Sequence, residues 1–170
     1  MIISGSMAIV TGASSGIGQS FTEHLLQKGA TVYGLSRNLE RMLAHKESLG
    51  NMGEHYHPFQ MDISDHDAIE SWVNEEFKVA DIHPDILINN AGVGYFDQVE
   101  ELRFDEIKVS CFFPGSIATR FFDHIDWIEV HDGMMHPDEV ANTLIHVLET
   151  SDNFLINEIT MRPLQPKSNS

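Results

Sequence analysis

The chain has 170 residues, a length that suits one domain with a real core. Hydrophobic residues make up 42% and charged residues 21%, a globular, soluble balance; no stretch approaches a membrane span, and MIISGSMAIV lacks the basic flank and apolar run of a signal peptide, so a cytoplasmic location is expected. With 26 acidic against 10 basic residues the formal charge is −16, which repels polyanions and argues against nucleic acid or anionic membrane as a partner.

Strand and helix signals alternate along the chain, the pattern of a parallel sheet covered by helices. Met7 to Val10 is the first predicted strand. After a glycine-rich loop, Ile17, Phe21, Leu25 and Leu26 recur at helical spacing until Gly29, a C-terminal cap. Thr31 to Leu35 is the second strand, and Asn38 caps a helix that reaches about Leu49. Phe59 and Met61 belong to a third strand. Ser64 then precedes a helix whose Ile69, Trp72, Val73 and Phe77 form one apolar face. Ile86, Leu87 and Ile88, an unbroken apolar run, predict a central strand buried on both faces.

Here the rhythm breaks. Only residues 93 to 113 separate Gly92 from Pro114, and IKVSCFF at their end reads as another strand. A further helix, strand and helix with their loops would need about forty-five residues. The alternation resumes at Thr119 to His124. A helix then starts near Pro137, with Asp138 and Glu139 in its first turn and Val140, Leu144 and Leu148 facing inward; Phe154 to Met161 closes as a strand before a polar tail. Cys111, the single cysteine, lies in an apolar run and reads as a packed core thiol. His55 and His57 alternate on one strand but lack a third ligand at convincing spacing, so no metal site is expected.

Gly12, Gly16 and Gly18 of TGASSGIG stand at a strand-to-helix turn. Glycine there permits a tight turn, close approach of backbone to a pyrophosphate, and close packing of helix on strand. The helix start offers free N–H groups and a positive dipole end to a phosphate. Three motifs in this order, TGASSGIG, NNAG at 89 to 92 and PGSIAT at 114 to 119, make the chain resemble the short-chain dehydrogenase/reductase family from its first strand to ITMRP.

The resemblance implies a three-layer, Rossmann-like doubly wound parallel sheet, shortened by an internal deletion of about one helix, strand and helix. It implies a single nicotinamide-dinucleotide domain over residues 1–170, with a cofactor-binding half over 1–92 and a C-terminal part over 107–163. By it, Gly12, Ser14, Gly16, Ile17 and Gly18 hold the pyrophosphate and Asp62 faces the adenine. Asn90, Ala91 and Gly92 run beside the adenosine ribose and its phosphates, and Pro114, Gly115, Ile117 and Thr119 bound the nicotinamide. Asn89 is expected to tie neighbouring strands through its amide. At the end of the second strand, Ser36 replaces the acidic residue of NAD-preferring members. Arg37 after it can clamp a 2′-phosphate, with Ser36 and Asn38 adding hydrogen bonds, so NADP is the expected cofactor.

The family's chemistry uses a serine, a tyrosine, a lysine four residues beyond that tyrosine, and an asparagine. None can be carried over. Tyr33, Tyr56 and Tyr95 are followed four residues later by Arg37, Gln60 and Val99, and Ser110 lies in the strand leading to PGSIAT. The apolar Trp127, Met134 and Met135 follow that motif, where the family places a variable substrate lid, and suit core packing equally. Three readings stay open. One is an oxidoreductase acting on a small carbonyl or alcohol whose catalytic segment is missing from this sequence. Another is a non-catalytic cofactor-binding module, natural or cut down by deletion. The third is a fragment that forms homo-oligomers through the sheet face stripped of its helices.

Overall fold

The computed structural model describes residues 2–92, 110–119, 130–151 and 154–164. The chain divides into two compact units, Ile2–Ala91 and Gly92–Ser170. Tyr95, Trp127, the residues from Asp105 to Lys108 and residues 120–124 of the resumed alternation lie outside the described residues.

The first unit is a parallel α/β layer structure. Strands β1 (Met7–Thr11), β2 (Thr31–Ser36), β3 (Tyr56–Gln60) and β4 (Ile86–Ile88) pair in the order β3-β2-β1-β4, all parallel. Helices α1 (Gly16–Gln27) and α2 (Leu39–Ser48) connect the first three strands, and α3 (His66–Val73), continued by a π-helical turn over Asn74–Lys78, leads to β4. Side chains alternate across a strand, which sorts the sheet into two faces. Ala8, Val10, Val32 and Tyr56 lie on one and are buried, and α1 and α2 lie against these strands. Leu35 and Met61 belong to the other, where Trp72 and Phe77 from the α3 segment bury them together with Tyr33 and Phe59. Helices on both faces of a parallel sheet make this a Rossmann-like fold.

Local signals explain the boundaries. Gly29, at φ 84°, ends α1: its N–H donates to the Leu26 carbonyl while that of Ala30 reaches Leu25. That is the paired bond of a left-handed glycine cap. Asn38 caps α2 by accepting the N–H of Arg41 at 3.0 Å. α3 is capped by Asp65, whose side chain accepts the Ala68 N–H at 3.0 Å. Ser64 donates its N–H and hydroxyl to Asp62. The third strand, Tyr56–Gln60, runs in register with Val32 to Ser36, so it holds Phe59 and His57 but ends before Met61, and His55, expected on the same strand as His57, lies in the 3-10 turn before it.

β4 is not buried on both faces: within the described sheet it pairs with β1 alone, and Leu87, opposite Ile9, is 61% exposed. Its burial pattern runs buried, exposed, half-buried. The packed cluster on this face centres on Leu35, Met61, Trp72 and Phe77, while Met7 and Ile9 beside it are only partly buried.

His45 of α2 is 7% exposed, neither ring nitrogen has a hydrogen-bond partner among the described residues, and Glu23 of α1 lies 3.8 Å from its Nε2. The Tyr56 ring packs edge-on against it, and the Tyr56 hydroxyl has no partner among the described residues; its burial pushes the phenol's pKa up. Burial lowers the His45 pKa below its ordinary 6.5, and the Glu23 carboxylate offsets part of this. The unfolded chain therefore takes up the proton at a higher pH than the folded one. The stability supplied by neutral His45 is complete above that ordinary value and is lost as pH falls from it toward the folded-state value. Urea midpoints measured between about pH 7.5 and about pH 5 should fall less in His45→Leu than in the unchanged protein. Identical pH dependence would remove His45 from the acid response.

The second unit contains β5 (Cys111–Pro114), α4 (Pro137–Leu148) and β6 (Glu158–Met161), with β5 and β6 paired in parallel. Pro137 opens α4 behind a capping box, in which the His136 backbone N–H donates to Glu139 at 2.8 Å. The helix buries Val140, Ala141, Ile145 and Val147, so the inward stripe is rotated from the predicted one and Leu144 and Leu148 are half-buried. β6 is shorter than predicted, with Phe154 and Leu155 exposed, and Cys111 is half-buried rather than fully packed.

Candidate functional site

β1 lies between β2 and β4, so the strand order reverses there, and the carboxyl ends of parallel strands flanking such a point form a crevice. The loop after β1 lines it. Gly12 donates its N–H to the Leu35 carbonyl at 2.8 Å, and Gly12 and Gly16 have φ of 69° and 57°, values that glycine adopts without strain. A Cβ on Gly18 would collide with the Gly12 carbonyl oxygen and the Asn90 amide nitrogen, so the helix sits directly on the loop. At the start of α1, Ser15 is extended and makes no side-chain cap, and there is no acidic residue in the first turn. The N–H groups of Gly16, Ile17 and Gly18 have no acceptor among the described residues. This is a positive helix end without an anion to complement it.

The end of β4 is stapled to this loop. The Thr11 hydroxyl accepts the N–H groups of Asn90 and Ala91 at 3.0 and 2.9 Å. Asn90 returns its side-chain amide to the Thr11 carbonyl at 3.0 Å, with the Gly12 carbonyl at 3.4 Å. The strand-tying amide is thus that of Asn90, not the one expected of Asn89, which is exposed. Thr11 had no assigned role from sequence; a hydroxyl at the buried end of an apolar strand was the available signal.

Ser36, Arg37 and Asn38 follow at the end of β2. The Ser36 hydroxyl is hydrogen-bonded to Ser14 Oγ at 2.7 Å and accepts the Asn38 N–H at 3.3 Å. Gln60 holds the Arg37 carbonyl at 3.2 Å, while the Arg37 side chain is exposed. After β3, Asp62 is exposed, and its Oδ1 accepts from the Ser64 N–H and hydroxyl at 3.0 and 2.8 Å. These bonds hold its pKa below the ordinary carboxylate value, with the Arg37 charge a smaller contribution.

The other predicted residues belong to the second unit. Gly92 is exposed. Pro114 ends β5, and Gly115 donates its N–H to the Met161 carbonyl at 2.8 Å. Ile117 is buried and bridges Met135: Ala118 donates to the Met135 carbonyl at 2.8 Å and Met135 to that of Ser116 at 3.0 Å. The Thr119 N–H reaches the Ile117 carbonyl at 2.8 Å. Of the tyrosines described, Tyr56 is fully buried and Tyr33 stacks among Phe59, Trp72 and Phe77. Among the described residues no group of three His, Cys, Asp or Glu is placed to hold a metal, and no helix is long and apolar enough to cross a membrane.

A probable short-chain type dehydrogenase/reductase of Helicobacter pylori is 39% identical over 103 residues, covering 60% of this chain and 35% of that protein. An NADPH-dependent 3-dehydrocapnine reductase of Ornithobacterium rhinotracheale is 33% identical over 102 residues, covering 59% and 35%. The matched stretch thus spans about a third of the length of these relatives. An alcohol dehydrogenase of the archaeon Thermococcus sibiricus, solved with 5-hydroxy-NADP, shares the fold with a TM-score of 0.75 at 19% identity, over 95% of this chain and 99% of that one. The sequence model described as short chain dehydrogenase matches residues 6–110. With more than half of its length matched in this way, the chain belongs to the short-chain dehydrogenase family.

Proposed function

We propose that the loop from Gly12 to Gly18 binds NADP(H), and that the chain is the cofactor-binding part of an oxidoreductase working between NADPH and a small carbonyl or alcohol. The observation that carries this reading is the start of α1, where three backbone N–H groups without acceptors among the described residues meet a loop into which no side chain fits at Gly18. A pyrophosphate supplies the negative charge and acceptor oxygens that such a helix end lacks. Thr11 and Asn90 keep the loop in place, Asp62 stands at the adenine side, and Arg37 is the cation for a 2′-phosphate. In the second unit, Pro114, Gly115, Ile117 and Thr119 are assigned to the nicotinamide. When bound, the cofactor supplies the hydride.

A second reading, a cofactor-binding module without catalysis, is favoured by a specific observation: no tyrosine in the chain is followed by lysine four residues later. The two readings share the binding site and differ in turnover.

Titration with NADPH and NADH tests the cofactor. NADPH should bind more tightly, and Arg37→Ala should weaken it by about 10-fold, the size of one charge-assisted contact, while leaving NADH nearly unchanged. Equal NADPH affinity in the two proteins would take Arg37 out of the site.

A further inference from the structure

The run HDGMM at 131–135 holds the one Asp-Gly pair in the chain, and no Asn-Gly pair occurs. In such a pair the aspartate carboxyl carbon lies within ring-closing reach of the next residue's backbone nitrogen, and glycine puts no side chain in the way. The closure is ordinarily slow, because an amide nitrogen is a poor nucleophile while it keeps its proton. Here a base sits on that proton: the Gly133 N–H donates to His131 Nδ1 at 3.1 Å. A ring nitrogen that accepts carries no proton, so His131 stands there as the neutral tautomer with its proton on Nε2. The Met134 N–H closes the turn on the His131 carbonyl at 2.9 Å, which keeps the imidazole and Gly133 on one short arc, and Asp132 is exposed at its tip.

We propose that Asp132–Gly133 is a self-modification site, at which His131 acts as base and the aspartate isomerises to isoaspartate through a succinimide. With the carboxyl in its acid form, the Gly133 nitrogen bonds to Asp132 Cγ. His131 Nδ1 takes the nitrogen's proton and hands it to the departing hydroxyl, so one water leaves. Water then adds to the Asp132 backbone carbonyl carbon, and the bond from that carbon to the Gly133 nitrogen breaks. The chain now runs through the former side-chain carboxyl carbon and is one methylene longer, and water is the only co-reactant. Ordered structure adjoins the site: Met135 donates to the Ser116 carbonyl at 3.0 Å and accepts from Ala118 at 2.8 Å, around the buried Ile117. A longer backbone at residue 132 breaks the closure of the turn and loosens that bridge. The inference is independent of the cofactor reading.

The test is long incubation near neutral pH of the unchanged chain, His131→Ala, His131→Asn and Asp132→Glu, each folded and in urea. Peptides spanning 131–135 are then separated and analysed by tandem mass spectrometry that distinguishes isoaspartyl from aspartyl. The folded unchanged chain should accumulate isoaspartate at residue 132, with an intermediate lighter by one water. Both His131 variants should do so about 10-fold more slowly, less than the about 10²–10⁴-fold that a positioned base supplies in an enclosed site, because this turn is open to water. His131→Asn is the deciding variant, since its amide oxygen can accept the Gly133 N–H but is not basic. In urea the unchanged chain and the two His131 variants should isomerise at one rate, and Asp132→Glu, which needs a larger ring, should stay intact throughout. The inference is overturned if the folded unchanged chain forms no isoaspartate at residue 132, if His131→Asn keeps the unchanged rate, or if the difference between variants persists in urea.

Discussion

NADPH oxidation by the 170-residue chain, measured against a panel of aldehydes, ketones and 3-oxo acids with protein of verified mass, should fall far below the rates of carbonyl reductases. As hydride reaches a carbonyl carbon, the oxygen becomes an alkoxide that needs a proton and hydrogen bonds. Loss of a positioned general acid costs about 10²–10⁴-fold. Loss of the oxygen's hydrogen-bond donor costs about 10²–10³-fold, although such effects do not simply multiply when groups act as a unit. Neither described tyrosine can replace the acid: Tyr56 is completely buried, and Tyr33 is stacked in the aromatic cluster beneath α3. Tyr95, three residues past NNAG, is the remaining tyrosine, and no lysine follows it at the required spacing. Robust turnover that disappears in Tyr95→Phe would sink the non-catalytic reading. Absence of turnover beside measurable NADPH binding would support it.

Gly18→Ala should abolish measurable cofactor binding and destabilise the first unit. The added Cβ would strike the Gly12 carbonyl oxygen and the Asn90 amide, and the first of these is backbone that cannot rotate away. Overpacking of this kind costs about 1–3 kcal/mol. In a chain of this size each kcal/mol lowers Tm by about 2–4 °C. The effect on binding is larger, because α1 can relieve the clash only by moving off the loop, which withdraws its N–H groups from the crevice. Gly5→Ala is the control. Gly5 has φ 80° with nothing within 4 Å of its missing Cβ, so that change should cost about 1–2 kcal/mol of backbone strain and leave cofactor affinity intact. Retained affinity and Tm in Gly18→Ala would contradict the close packing of α1 on the loop.

The order of elements through β4, the glycine loop, the Gly29 and Asn38 caps and the Pro137 helix start were legible in the sequence by itself. Each depends on a few adjacent residues: a φ that only glycine adopts readily, a side chain that reaches an N–H two or three positions ahead, or a ring that presets the first helical turn. The family was legible as well, since a strand followed by TGASSGIG and a helix states its own context. Local pattern failed where a residue's state depends on a distant segment. The run Ile86–Leu87–Ile88 reads as a strand buried on both faces, yet burial requires a neighbour on each side and a cover on each face, and the tertiary structure leaves Leu87 exposed. Adjacent asparagines are indistinguishable in NNAG; pairing of β4 with β1 decides that Asn90 reaches Thr11. Ser14 and Ser36 are 22 residues apart, and only the parallel register of β1 with β2 brings their hydroxyls to 2.7 Å.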